Sequence, residues 1–139
     1  MKRCFFALFS LVLVAPLQAH DGIHPHPPVA AVKPAAMYLP TAMPDRIVLT
    51  WTGDPRTTQA VTWRTSTDVK LGLAEIAIAD GGPNFMENAT QQKAVSQPLE
   101  TDINTAHFHT VNFSNLTPGT RYAYRVGDGT NWSEWFHFL

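Results

Sequence analysis

The sequence predicts an all-β chain, an antiparallel β-sandwich of about seven short strands. Three observations carry that reading. From residue 45 onward, segments rich in β-branched and aromatic residues alternate in polarity with period two. Turn residues interrupt these segments about every eight to fifteen positions. After the first nineteen residues, no apolar repeat of 3.6 residues extends far enough to make a helix.

The elements follow in chain order. Lys2 and Arg3 precede an apolar run from Cys4 to Ala15, and Pro16-Leu17-Gln18-Ala19 ends in a small residue, the layout of a secretory signal peptide cleaved after Ala19. That apolar run is well short of the ~20 residues a helix needs to cross a bilayer, so a soluble, secreted or periplasmic product is expected, with no membrane contact after cleavage. Residues 20–44, "HDGIHPHPPVAAVKPAAMYLPTAMP", are dominated by proline, alanine and histidine. Prolines this frequent fix φ and remove amide donors, so the reading is a linker or arm along the domain with neither helix nor central strand. His20, Asp21, His24 and His26 are metal-ligand types at short spacing, but a loop offers no preset geometry, and a solvated arm is the simpler expectation.

Residues 45–139 form the expected sandwich domain. "RIVLTW" places Ile47, Leu49 and Trp51 on one face, and "QAVTWRT" places Val61 and Trp63 on one face with Thr62 and Arg64 on the other. "TGDPRTT" between them is a turn. "AEIAIAD" puts Ile76 and Ile78 inward and ends at Gly81-Gly82-Pro83. From Asn84 to Thr105 the signal weakens, with one short strand expected around Lys93 to Val95. "HFHTVNF" then aligns His107, His109, Val111 and Phe113, "RYAYRV" aligns Tyr122, Tyr124 and Val126, and "SEWFHFL" supplies the last strand. Between those two, Gly127-Asp128-Gly129 reads as a hairpin turn, where a glycine can adopt positive φ.

Leu116, Pro118-Gly119 and Tyr122 have the spacing of a tyrosine corner, in which a phenol hydroxyl bonds back to the backbone of the loop that crosses between sheets. With the Val-x-Trp of the second strand, the pattern resembles a fibronectin type III, immunoglobulin-like sandwich. Three separated segments, "IVLTWTGDPRTTQAVTWRT", "HFHTVNFSNLTPGTRYAYRVGDG" and "NWSEWFHF", together resemble something narrower: the N-terminal, fibronectin-like domain of the purple acid phosphatases, over roughly residues 44 to 139.

That resemblance implies a family activity, hydrolysis of phosphate monoesters by iron(III) and a divalent partner (Fe, Zn or Mn), and a partner in cis, the metallophosphatase domain that holds the metals. Its signature segments have the forms GDxG, GDxxY, GNH followed by an acidic residue, and GHxH, and none occurs in these 139 residues. Gly53-Asp54 runs into Pro55-Arg56, Gly127-Asp128 into Gly129-Thr130, and Ala106 precedes His107-Phe108-His109. The histidine pair is therefore expected to serve the sandwich rather than a metal. No catalytic, cofactor-binding or metal-ligating residue is assigned, no cofactor is expected in this chain, and the chain is expected to be a non-catalytic fragment or truncated product.

Composition agrees with an exported domain held by packing. The only cysteine, Cys4, lies in the signal segment, so no disulfide is available to the mature chain. Charged residues are 15% and the net charge is −1, without the basic patch that nucleic acid requires. There is no Gly-x-Ser-x-Gly elbow or phosphate loop, and Asp128 with Glu134 reads as turn and strand edge rather than as a carboxylate pair. Asn88, Asn112, Asn115 and Asn131 head N-x-[ST] sequons. Trp132, Trp135 and Phe136 are either inter-sheet core or a docking face. Two readings of function result: the accessory domain of a purple acid phosphatase, or a free-standing exported binding module that uses loops at one end of the sandwich.

Overall fold

The period-two alternation becomes eight strands in the computed structural model, which describes residues 30–139. The signal segment and the His20, Asp21, His24 and His26 tract lie outside the described residues. The strands are β1 (Asp45–Thr50), β2 (Gln59–Thr65), β3 (Leu73–Ile78), β4 (Thr90–Lys93), β5 (Val95–Glu100), β6 (Thr105–Phe113), β7 (Tyr122–Gly127) and β8 (Phe136–Phe138). All pair antiparallel, in two four-stranded sheets ordered β1-β2-β6-β5 and β4-β3-β7-β8. The expected β-sandwich is the observed fold.

The inward faces meet in one layer. Val61, Trp63, Val111 and Phe113 come from the first sheet, and Ala74, Ile76, Tyr124 and Val126 from the second. Leu49, Tyr122, Phe136 and Phe138 pack around them. Burying side chains of this size is worth about 1.5–3 kcal/mol each, which is how a domain without a disulfide holds its sheets together.

Three local expectations are corrected. Between Asn84 and Thr105 there are two strands, not one, and they flank Ala94, whose amide donates to the Gly72 carbonyl at 2.9 Å as the chain passes from one sheet to the other. Both are edge strands with mostly exposed, polar side chains, so the hydrophobic pattern is faint there. Pro98 is tolerated in β5 because an edge strand needs donors on one side only. Trp51 falls beyond the end of β1 and is 61% exposed, while Ile78, at the end of β3, opens into a groove with Asn115, Leu116 and Tyr122. Arg64, on the face of β2 opposite Val61 and Trp63, is buried. Finally, the proline-rich arm does contain a helical turn, α1 (Pro34–Met37), because Pro34 occupies its first turn, where no amide donor is needed.

Arg64 is the reason the segment before β1 is ordered. Its guanidinium grips Asp45 through two bonds of 2.7 and 2.5 Å and donates to the Tyr38 carbonyl at 3.2 Å. A bulge in β1, with Arg46 at φ 49°, puts Asp45 opposite Arg64. The bond to Asp45 holds Arg64 firmly charged, raising its pKa. Asn104, in the β5–β6 turn, donates to the carbonyls of Ala35 and Tyr38, and the Ser66 amide donates to Thr41. Residues Val32–Leu139 accordingly form one compact unit.

At the other crossing, the Tyr122 hydroxyl accepts the Thr117 amide at 3.0 Å, and the Leu116 amide donates to Thr57 in the β1–β2 turn. This is the tyrosine corner read from the sequence. Its ring stacks on Phe138 with centroids 5.5 Å apart, so the corner also holds the last strand. Replacing Tyr122 by Phe keeps the ring and removes the bond; we expect a loss of about 1 kcal/mol in urea unfolding with an unchanged slope.

Candidate functional site

The residues with the chemistry closest to a metal centre are His107 and His109 on β6. Alternation sends both inward, and the core closes over the second: His109 has no exposed surface. Its ring lies against Trp63, with centroids 5.3 Å apart, and a Cβ on Gly72 would come within 2.7 Å of it. Only glycine lets that backbone pass.

Both ring nitrogens of His109 are occupied. The Thr65 hydroxyl donates to the Ser66 carbonyl at 3.1 Å and so accepts from Nε2–H at 2.7 Å, while the Ser96 hydroxyl donates to Nδ1 at 2.7 Å. This pairing suits the neutral ring. Burial lowers its pKa to about 4 from the ordinary 6.5, reinforced by nearby His107 and opposed by Asp128. His107 donates from Nδ1 to the Val69 carbonyl at 2.7 Å. The pair thus ties β2, β5 and β6 to the loop before β3. Among the described residues no group of three or more histidines, cysteines, aspartates or glutamates could hold a metal ion, and so they do not fit a dinuclear centre.

The Gly-Asp-Gly segment is a turn of the β7–β8 connection. The Asp128 carboxylate accepts the amides of Thr130 and Asn131 at 2.8 and 2.6 Å and the Asn131 side chain at 2.9 Å. Burial works against its charge, but these bonds prevail and hold its pKa below the usual carboxylate range. Gly127 is required by close approach, since a Cβ there would sit 2.1 Å from the Asn131 carbonyl oxygen and 2.8 Å from the Trp132 ring. Glu134 is exposed and makes no pair with Asp128. Gly53-Asp54 is likewise a turn, in which Asp54 accepts the Arg56 amide at 3.0 Å.

The C-terminal aromatics divide between core and surface. Phe136 packs on the core, whereas Trp132 and Trp135 stand on the outer face of the second sheet with the Arg125 guanidinium 4.4 and 4.9 Å from their ring centroids. Arg125 also bonds Glu75 at 2.7 Å across β3 and β7, and Phe85 meets Trp135 edge-on at 5.2 Å. Arg125 went unremarked in the sequence. Its signal is one charge set between Tyr124 and Val126 with a Trp-x-x-Trp following, but only the hairpin brings those pieces together. Of the sequon residues, Asn88, Asn112 and Asn115 are exposed, and the Asn131 side chain is bonded to Asp128.

An open cleft of about 350 Å³ lies at the tyrosine-corner end, between Pro55 and Arg56 of one turn and Leu116, Pro118, Tyr122 and Phe138. Its walls are mainly apolar, and its cation, Arg56, is already paired with Asp54. None of its lining residues pairs a nucleophile with a base, and what the cleft offers is a mainly apolar surface.

A family profile described as the purple acid phosphatase N-terminal domain matches residues 44–139. The chain belongs to that family. As a purple acid phosphatase N-terminal domain it shares its fold with a purple acid phosphatase isolated from yellow lupin (Lupinus luteus) seeds, at 18% identity and a TM-score of 0.52. That match covers 72% of this chain but 20% of the lupin chain, so the domain spans one fifth of the enzyme it resembles. A computationally redesigned β-sandwich protein also matches, at 22% identity and a TM-score of 0.40, over 68% of this chain and 87% of that one. Comparison with curated proteins finds no match.

The buried His109 makes a test of the site. Because its folded pKa of about 4 lies below the 6.5 of a free imidazole, the unfolded chain takes up the proton first as pH falls. The associated stability is complete above about pH 6.5 and is lost progressively down to about pH 4, a change on the order of 3 kcal/mol. We expect unfolding free energy to fall across that window, and the His109 ring resonances, followed by NMR, to show no titration above pH 5. A His109 titration near 6.5 would contradict the closed geometry.

Proposed function

We propose that this domain is the accessory N-terminal part of a purple acid phosphatase, a packing and positioning module for a metallophosphatase domain that acts in cis. The match of the family profile along 44–139 is the observation that carries the reading. Phosphate-monoester hydrolysis by iron(III) with Fe, Zn or Mn would then belong to that second domain. Two features of the chain support this division of labour: the described residues offer no donor set for two metals, and the lupin enzyme devotes four fifths of its length to something other than this fold. The proposed organisation is a signal segment over 1–19 directing the chain to the periplasm or outside the cell, an arm over 20–44, and the sandwich over 45–139. The apolar cleft at the tyrosine corner, beside the Phe138-Leu139 end of the domain, is the natural place for a following domain to lean.

The test has two arms. The purified chain, supplied with iron and with zinc or manganese, is expected to hydrolyse an aryl phosphate at no more than the metal-only rate; metal-dependent turnover above that rate would refute the division of labour. Sequencing of the gene past codon 139 is expected to find a frame encoding GNH and GHxH segments. A clean intergenic stretch would instead favour the free-standing binding module.

A further inference from the structure

The two sheets part between β4 and the end of β6, and the side chains there leave a gap. Directly paired residues on neighbouring strands share a face, so Thr90 and Gln92 of β4, opposite Ile76 and Ala74, stand on the core side of the second sheet. Ile78, two positions beyond Ile76, is on that side as well, yet it is 55% exposed. These inward positions meet a groove of about 290 Å³, which Phe113, Leu116 and Tyr122 also line. The carboxamides of Asn88, Gln92 and Asn115 stand around it. Close by, the Thr90 hydroxyl donates to the Ile76 carbonyl at 3.4 Å and Gln91, on the opposite face, donates to Glu75 at 3.2 Å, whereas those carboxamides make no hydrogen bond among the described residues. No lining residue of the groove is charged.

We propose that this groove is a binding site for an uncharged saccharide. A pyranose ring carries C–H groups on its faces and hydroxyls around its rim, and each hydroxyl both donates and accepts. The groove has the matching halves. Ile78, Leu116 and Tyr122 form an apolar wall for a ring face, and the carboxamides, each with N–H donors and a carbonyl acceptor, meet hydroxyls at the rim. The uncharged lining sets the class of ligand: a phosphate, carboxylate or ammonium would give up hydration here and gain no counter-charge. An extended peptide that binds by adding a strand needs an open backbone edge, and this groove lies between the sheets and is walled by side chains. Its volume is just under the ~300–1,000 Å³ usual for ligand sites, so about one or two sugar rings and millimolar affinity are expected. The groove shares only Leu116 and Tyr122 with the cleft at the tyrosine corner, so a saccharide and a following domain would use different walls.

NMR titration of the isotope-labelled chain tests the site. Because Asn88 and Asn115 head sequons, the chain is made in a host that adds no N-glycans. Cellotriose, maltotriose and tri-N-acetylchitotriose are each added to about 20 mM, a range that detects millimolar binding. At least one is expected to shift the resonances of Ile78, Asn88, Gln92 and Asn115 saturably and to leave those of Gln59 and Thr120, in the other cleft, in place. Gln92→Ala and Asn115→Gly should each weaken that binding about fivefold or more with little change in thermal midpoint, glycine being suited to the φ of 58° at residue 115. Asn88→Ala, at an exposed position, makes the same test should either variant fold poorly. No saturable shift with any of the three sugars would overturn the proposal, as would shifts centred away from the groove or binding that ignores these substitutions. A response to terminally blocked triglycine and to none of the sugars would overturn it in favour of a peptide site.

Discussion

The domain depends on one layer of side chains pressed between two sheets. Val61, Trp63, Val111 and Phe113 meet Ala74, Ile76, Tyr124 and Val126 there, and no cysteine among the described residues can reinforce them. Dispersion and the hydrophobic effect have no direction, so that layer alone would allow the sheets to slide. Polar groups at its margins supply the direction. His109 reaches two hydroxyls from within the layer, Arg64 fastens the segment before β1, and Tyr122 fixes the corner.

Each of these polar groups answers to the layer it borders. An imidazole without solvent contact beside Trp63 is expensive to charge, so His109 works as a neutral donor and acceptor. Arg64 cannot shed its charge and so must be paired; the bulge at Arg46 exists where it brings Asp45 into reach. The two aspartates that follow glycine in Gly-Asp pairs, Asp54 and Asp128, use their carboxylates on backbone amides of their own turns. Each carboxylate closes its own loop.

The two outer faces have different characters. The second sheet is dressed by Arg125 held between Trp132 and Trp135, with Glu75 and Phe85 completing the stack, so its aromatics are largely satisfied within the chain. The first sheet is left with valines, a leucine and a neutralised ion pair.

The sequence by itself determined the class of fold, the strand faces of β2, β6 and β7 and the corner at Tyr122, because these rest on periodicity and turn chemistry, which are local; the family was legible only as a resemblance of three separated segments. It left β4 and β5 unresolved, since edge strands with polar side chains barely alternate, and it placed Ile78 inward and Trp51 on one face with Ile47 and Leu49, whereas both side chains are exposed. Only tertiary structure decided that Arg64 is buried, that Arg125 lies between two tryptophans, and that His109 is closed off. Each of those facts depends on a partner between 7 and 50 positions away along the chain, such as Asp45, Glu75, Trp132 or Thr65. Burial and hydrogen bonding are properties of such pairs, and a pair distant in sequence exists only once the sheets have closed.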